Sequence, residues 1–178
     1  MDNKVVSTLF RFYRDRGVSV VAFNFRGVGQ STGTHGDGVG EIADAAAVLN
    51  WMASQCAART LYLAGFSFGG YIAAALADQL ARQSSINSSI QNQTPWQIQD
   101  LGLVAPAVTH YPMAALTLPA YTTVYVGAQD DVVDPQAIID WANHHGHELE
   151  IFPDTGHFFH GRLTELKTAL AEHFHDWS

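Results

Sequence analysis

The stretch Gly65-Phe66-Ser67-Phe68-Gly69 constrains this chain more than any other. It follows Arg59-Thr-Leu-Tyr-Leu-Ala and precedes Gly70-Tyr-Ile-Ala-Ala-Ala-Leu-Ala. A short β-prone apolar run, a glycine-flanked serine and a run of small helix formers read as strand, sharp turn and helix. The glycines allow strand and helix to approach where a Cβ would collide. Ser67 is then held at the tip of the turn, at the start of a helix whose free N–H groups and dipole favour negative charge nearby.

The flanking segments repeat this alternation. Val5, Val6, Leu9, Phe10 and Tyr13 fall at helical spacing, with Gly17 as a C-terminal stop. Val18 to Phe25 is β-branched, aromatic and almost continuously apolar, the pattern of a strand covered on both faces. A glycine-rich loop, Arg26 to Gly38, follows. Its spacing fails the dinucleotide-binding pattern because position 32 is Thr, so it reads as a structural turn over the strand's end. A helix with Glu41 and Asp44 near its start carries Ile42, Ala45, Leu49 and Met52 on one face, and leads into the strand before Ser67.

Beyond the Ser67 helix, Ser84–Gln99 is rich in Ser, Gln and Asn and is expected as a polar loop or small flap. Leu101–Ala107, Thr122–Val126 and Glu148–Phe152 read as further strands. Asp134 and Pro135 open the helix between the last two, as cap and first-turn residue, and that helix stops at Gly146. A final helix carries Leu163, Leu166, Leu170 and Phe174. Strands alternating with helices, each strand continuously apolar, predict an α/β fold. The expected architecture is a three-layer α/β/α sandwich on a mainly parallel sheet, residues 1–178 forming one domain.

Composition narrows the function classes. A formal net charge of −8 with scattered Lys and Arg gives no basic stripe, so no nucleic-acid partner is expected. No apolar run reaches the roughly 18 residues a membrane span needs, and no signal-peptide core follows Met1; a cytoplasmic protein without a membrane partner is the expectation. The lone Cys56 excludes an internal disulfide and reads as a packed or partly exposed thiol rather than a nucleophile. Without a secretory signal, the acceptor-like patterns at Asn87 and Asn92 carry no weight.

In an open parallel sheet, ligands bind beyond the carboxyl ends of the strands. Ser67 falls there, as do an Asp of Gly127-Ala-Gln-Asp130-Asp131 and His157 of Thr155-Gly-His. A serine hydroxyl needs an imidazole to take its proton, and the imidazole needs a carboxylate to hold its tautomer. Asp130 sits at its strand's end and is preferred; Asp131 stays open as its competitor, whereas Asp134 has a capping role. His160 reads as solvent-facing or packed. Tyr111, Met113 and Leu116 are candidate walls of a substrate pocket.

The remaining histidines do not form a metal signature. His144, His145 and His147 gather at a helix end, where imidazolium complements the dipole. His147-Glu148 is not followed by the second histidine of an HExxH motif, and His173 and His175 point to different helix faces. Neither metal nor cofactor is expected.

Asn24-Phe-Arg-Gly-Val-Gly-Gln-Ser, Gly65-Phe-Ser-Phe-Gly-Gly, Gly127-Ala-Gln-Asp-Asp-Val-Val and His157-Phe-Phe-His-Gly-Arg-Leu lie in register across nearly the whole chain. Together they resemble the small single-domain α/β-hydrolases of the dienelactone-hydrolase-like group. The resemblance implies Ser67 as nucleophile, His157 as base, Asp130 as the group orienting it and the Phe68 N–H as an oxyanion donor. It also implies a carboxylesterase-type serine hydrolase acting on small-molecule esters, without a cofactor. Dienelactone hydrolases proper use cysteine where this chain has Ser67.

Relatives in that group place strands ahead of the first helix, and a turn after them supplies half of the oxyanion hole. Against that pattern this chain reads as an N-terminally shortened α/β-hydrolase fold, with no visible source for the second oxyanion donor. One family strand would lie between the segment ending at Phe25 and the strand ending near Phe66. The sheet is therefore expected to close the gap, leave it open, or borrow a strand from a partner, as in a homodimer. An alternative function follows, a catalytically impaired hydrolase-fold protein acting in binding or interaction.

Overall fold

The computed structural model describes residues 3–87 and 96–174. In chain order the elements are α1 (Lys4–Arg14), α2 (Val39–Gln55), β1 (Thr60–Phe66), α3 (Phe68–Asn87), β2 (Gln97–Val104), β3 (Thr122–Gly127), α4 (Pro135–His145), β4 (Glu148–Phe152) and α5 (Leu163–Glu172). Local chemistry accounts for several boundaries. The Asn3 side chain accepts the N–H groups of Val5 and Val6 to cap α1. Asp134 accepts the Gln136 N–H, with Pro135 opening α4, and Gly146 ends that helix in the left-handed conformation at φ 70°.

Four strands form one parallel sheet in the order β1-β2-β3-β4. Helix α3 joins β1 to β2 and α4 joins β3 to β4, whereas β2 reaches β3 through a long connection that holds only a 3-10 turn, Met113–Ala115; parallel pairing requires such crossovers. Alternating side chains feed two cores. Leu101, Leu103, Val124 and Val126 pack with α2, α3 and α4, while Val104 and Tyr125 pack with α1 and α5 on the opposite face. The expected α/β/α sandwich on a parallel sheet is therefore present.

A buried hydrogen bond ties the α1/α5 layer to the sheet: the Tyr13 hydroxyl donates to Asp100 Oδ2 at 3.0 Å. Burial first, and the neighbouring Asp100 carboxylate second, push the Tyr13 phenol pKa well above its ordinary value.

Val18–Phe25 departs from expectation. It runs without helix, turn or bend, but it is not a strand of the sheet. Its apolar pattern is that of a strand, yet a ladder needs a neighbour at about 4.8 Å. What lies between this segment and β1 is instead an apolar groove of about 310 Å³. The gap anticipated from the sequence is left open within the described residues.

The polar excursion expected over Ser84–Gln99 is narrower than its composition suggests. Residues 84–87 continue α3 and residues 97–99 open β2; residues 88–95, including Asn92, lie outside the described residues, as does His175. No described helix is long and apolar enough to cross a membrane.

Candidate active site

All four strands deliver their C-terminal ends to one edge, and the loops leaving that edge carry the polar side chains of interest. At the end of β1, Ser67 adopts a positive φ of 54°, which a non-glycine residue takes up only when its surroundings impose it. Its N–H donates to the Val104 carbonyl at 2.9 Å, locking the turn to β2. Gly65 shows why the motif is written with glycine: a Cβ there would overlap the backbone of Gly69 and Gly70. Phe68 opens α3, so its N–H is among those without an acceptor in the helix ladder.

Asp130 follows β3 and is 8% exposed. Its Oδ1 accepts the N–H groups of Val132 and Val133, each at 2.9 Å, which fixes the carboxylate and aims Oδ2 at the next loop. That loop, after β4, carries His157, only 3% exposed. It is seated on the end of β3 by the Gln129 N–H donating to the Thr155 carbonyl at 2.9 Å. Gly127 permits this approach, since a Cβ there would collide with the Thr155 backbone.

His157 Nδ1 lies 2.7 Å from Asp130 Oδ2, and His157 Nε2 lies 3.1 Å from Ser67 Oγ. A carboxylate only accepts, so Nδ1 carries the proton; in the neutral ring Nε2 is then free to accept from the serine hydroxyl. Ser67, His157 and Asp130 are thus joined in one hydrogen-bonded chain. Asp131 is exposed and belongs to no such contact, Asp134 caps α4, and His160 is exposed and stacks on Phe158 with ring centroids 5.7 Å apart.

Two side chains not singled out from the sequence flank the imidazole. The Phe66 ring lies 4.8 Å from that of His157, and Phe158, 44% exposed, meets it edge to face at 5.0 Å. Phe66 is the variable position of the motif and Phe158 follows the histidine, so adjacency was the signal that could have found them.

Of the candidate pocket walls, Tyr111 is half-buried, stacks on Tyr71 at 4.5 Å and lies 5.1 Å from the Phe68 ring. Met113 requires a correction. It is fully buried in the core among α2, α3 and α4 and cannot line an open pocket. The sequence shows an apolar loop but not which side of it faces inward.

Glu41 is a second finding that the sequence did not reveal. Expected as a polar residue in a helix's first turn, it is fully buried. Its two oxygens accept the N–H groups of Gly36 and Gly38 at 2.8 and 3.0 Å, and Oε1 lies 2.8 Å from His35 Nδ1. Burial pushes its pKa up, but these backbone donors together with His35 outweigh burial and hold the carboxyl below its ordinary range. Arg26 forks onto Asp44 at 2.7 and 3.0 Å. The glycine-rich loop is therefore anchored at both ends, with His35 packed 5.2 Å from the Phe68 ring.

The histidines near α4 are held in aromatic and backbone contacts. His145 Nδ1 is 2.8 Å from the Trp141 carbonyl oxygen, and the His147 and His145 rings stack. Burial, then His145, lowers the His147 pKa.

Comparison with known proteins agrees with this architecture. Residues 7–90 match the family model of the alpha/beta hydrolase fold. An α/β serine hydrolase without lid from Xanthomonas campestris is 38% identical, with a TM-score of 0.84 over 97% of this chain and 73% of its own. An α/β serine hydrolase homologue from Coxiella burnetii is 35% identical, with a TM-score of 0.80 over 98% and 78%. An uncharacterized protein of Rickettsia prowazekii (strain Madrid E) is 32% identical over 97% of this chain and 71% of its own length. With the elbow, the parallel sheet and these relatives in agreement, the chain belongs to the α/β-hydrolase superfamily.

Proposed function

We propose that this protein is a serine hydrolase that cleaves small carboxylic esters through an acyl-enzyme. The observation that carries the reading is the unbroken chain of contacts from Asp130 through His157 to Ser67, at 2.7 and 3.1 Å. In it, Ser67 Oγ attacks the ester carbonyl carbon while His157 Nε2 takes the hydroxyl proton. Asp130 keeps Nδ1 protonated and stabilises the imidazolium that forms. The oxyanion develops beside the Phe68 N–H at the start of α3, where the helix dipole also favours negative charge. His157 then returns the proton to the leaving alcohol. In the second half, a water activated by the same nitrogen attacks the acyl carbon and frees Ser67.

The half-buried rings of Phe68 and Tyr111, 5.1 Å apart beside the serine turn, offer apolar contact to the acyl or alcohol part of a substrate. The reading is tested with p-nitrophenyl acetate and a fluorophosphonate probe on the protein and on its Ser67→Ala variant. Hydrolysis and labelling that both vanish with Ser67 are expected. A folded protein that neither hydrolyses the ester nor takes the label would instead support the binding role.

A further inference from the structure

Phe158 stands beside the His157 imidazole with 44% of its surface exposed. An exposed apolar residue taken singly needs no explanation, but this ring is held from several directions. It meets His157 edge to face at 5.0 Å and 89°, lies 5.9 Å from Phe66, and stacks on the His160 ring at 5.7 Å and 22°. The next residue, Phe159, is fully buried, packs against Phe152 and adopts a positive φ of 52°, a conformation that an aromatic residue takes up only when its surroundings impose it. Backbone hydrogen bonds fix that turn on both sides: the Phe159 N–H donates to the Gly156 carbonyl at 3.1 Å, and the Arg162 N–H donates to the Phe159 carbonyl at 3.0 Å. A strained residue pinned in the core thus holds Phe158 at the surface.

The supports of His157 do not depend on this ring. Asp130 holds Nδ1 at 2.7 Å, the Gln129 N–H seats the loop, and the buried Phe66 packs on the imidazole at 4.8 Å. What the exposed ring adds is contact area for a ligand. An aromatic side chain offers such area at low entropic cost, because it has only two rotatable bonds to fix.

The proton traffic of the proposed mechanism decides which part of an ester meets it. In the tetrahedral intermediate the former carbonyl carbon carries Ser67 Oγ, the oxyanion, the acyl chain and the alcohol oxygen. The oxyanion faces the Phe68 N–H. The alcohol oxygen must come within hydrogen-bond reach of His157 Nε2, which gives it the proton taken from Ser67 as the bond from carbon to that oxygen breaks. The alcohol therefore departs on the imidazole's side, where Phe158 stands, and Phe68 and Tyr111 remain for the acyl chain.

We infer, resting on the ester-hydrolase reading above, that Phe158 is a specificity-determining residue for the alcohol side of the substrate, its exposed ring, backed by His160, selecting esters of aryl-bearing alcohols. Stacked or edge-to-face aromatic pairs attract beyond what the buried area alone supplies. That surplus distinguishes an aryl alcohol from a saturated one of the same size.

The test compares benzyl, cyclohexylmethyl and ethyl acetates, which share one acyl group, on the wild type and on Phe158→Leu and Phe158→Tyr. It also follows how the acetyl-enzyme formed from p-nitrophenyl acetate partitions between water and added benzyl alcohol or ethanol, since an accepting alcohol occupies the same place as a departing one. The wild type should favour benzyl over cyclohexylmethyl acetate. Phe158→Leu should lower the ratio of kcat/KM for benzyl over ethyl acetate about tenfold, and the preference of the acetyl-enzyme for benzyl alcohol over ethanol by a similar factor. Phe158→Tyr, which keeps a ring, should retain both ratios. Two results would overturn the inference while leaving the ester-hydrolase reading intact: no wild-type preference for the benzyl ester, or a Phe158→Leu variant that loses activity equally on every ester and in hydrolysis of the acetyl-enzyme, the mark of a residue that only positions His157. A folded wild type that hydrolyses none of the esters and takes no fluorophosphonate label would overturn both.

Discussion

His157 Nε2 stands 3.1 Å from Ser67 Oγ although ninety residues separate the two in the chain. A backbone feature helps to place each of them. A positive φ fixes Ser67 at the end of β1, and the hydrogen bond from Gln129 to Thr155 seats the His157 loop on β3.

Asp130→Asn tests the tautomer. The amide oxygen can keep the Val132 and Val133 N–H bonds that Oδ1 now accepts, so the fold should persist. The amide nitrogen would then face His157 Nδ1 and drive the proton to Nε2, where it blocks acceptance from Ser67. On the proposed mechanism turnover of p-nitrophenyl acetate should fall by about 10⁴. The melting temperature should move little.

Gly65→Ala tests the turn. Its Cβ would overlap the backbone of Gly69 and Gly70, which no side-chain rotation relieves. Urea denaturation should show a loss of about 1–3 kcal/mol or more, with activity reduced further because Ser67 is displaced. A variant with unchanged midpoint and turnover would refute the role assigned to this glycine.

Glu41→Gln tests the loop anchor. One carboxylate oxygen becomes an amide that cannot accept, leaving a Gly36 or Gly38 N–H without its partner at about 1–3 kcal/mol. Because the folded carboxyl is held below its usual pKa of 4.5, it binds fewer protons than the unfolded one over the window beneath that value. Its contribution is complete above pH 4.5 and is lost as pH falls through the folded value. The stability gap between wild type and variant should therefore narrow on acidification below pH 4.5, as read by chemical denaturation at successive pH values.

Tyr13→Phe tests the tie between α1 and the sheet. It removes the 3.0 Å bond to Asp100 and should cost about 1–3 kcal/mol at neutral pH. The Tyr13 pKa is raised in the folded state, so above the ordinary value of 10.0 the unfolded chain loses this proton first. Its contribution is whole below pH 10 and declines as pH rises beyond it. The variant should therefore lose less stability between neutral pH and pH 11 than wild type does. Tyr125, whose pKa burial also raises, leaves the variant some alkaline sensitivity.

The amino-acid sequence by itself determined what depends on neighbours along the chain. The Gly65–Gly69 turn, the Asp134–Pro135 start of α4, the Gly146 stop and the alternation that makes a parallel α/β sheet are local patterns of sterics, capping and hydrophobic period. Tertiary structure decided whatever depends on neighbours in space. The sequence prefers Asp130 to Asp131 by its place at the strand's end but does not orient it; the Val132 and Val133 N–H groups, by holding Oδ1, turn Asp130 toward His157. Glu41 reads only as an acidic residue near a helix start but is enclosed by the loop it anchors, and Met113 reads as a pocket wall but faces the core. Val18–Phe25 has the composition of a strand and is not one, because a strand is defined by the partner beside it and here a groove occupies that place.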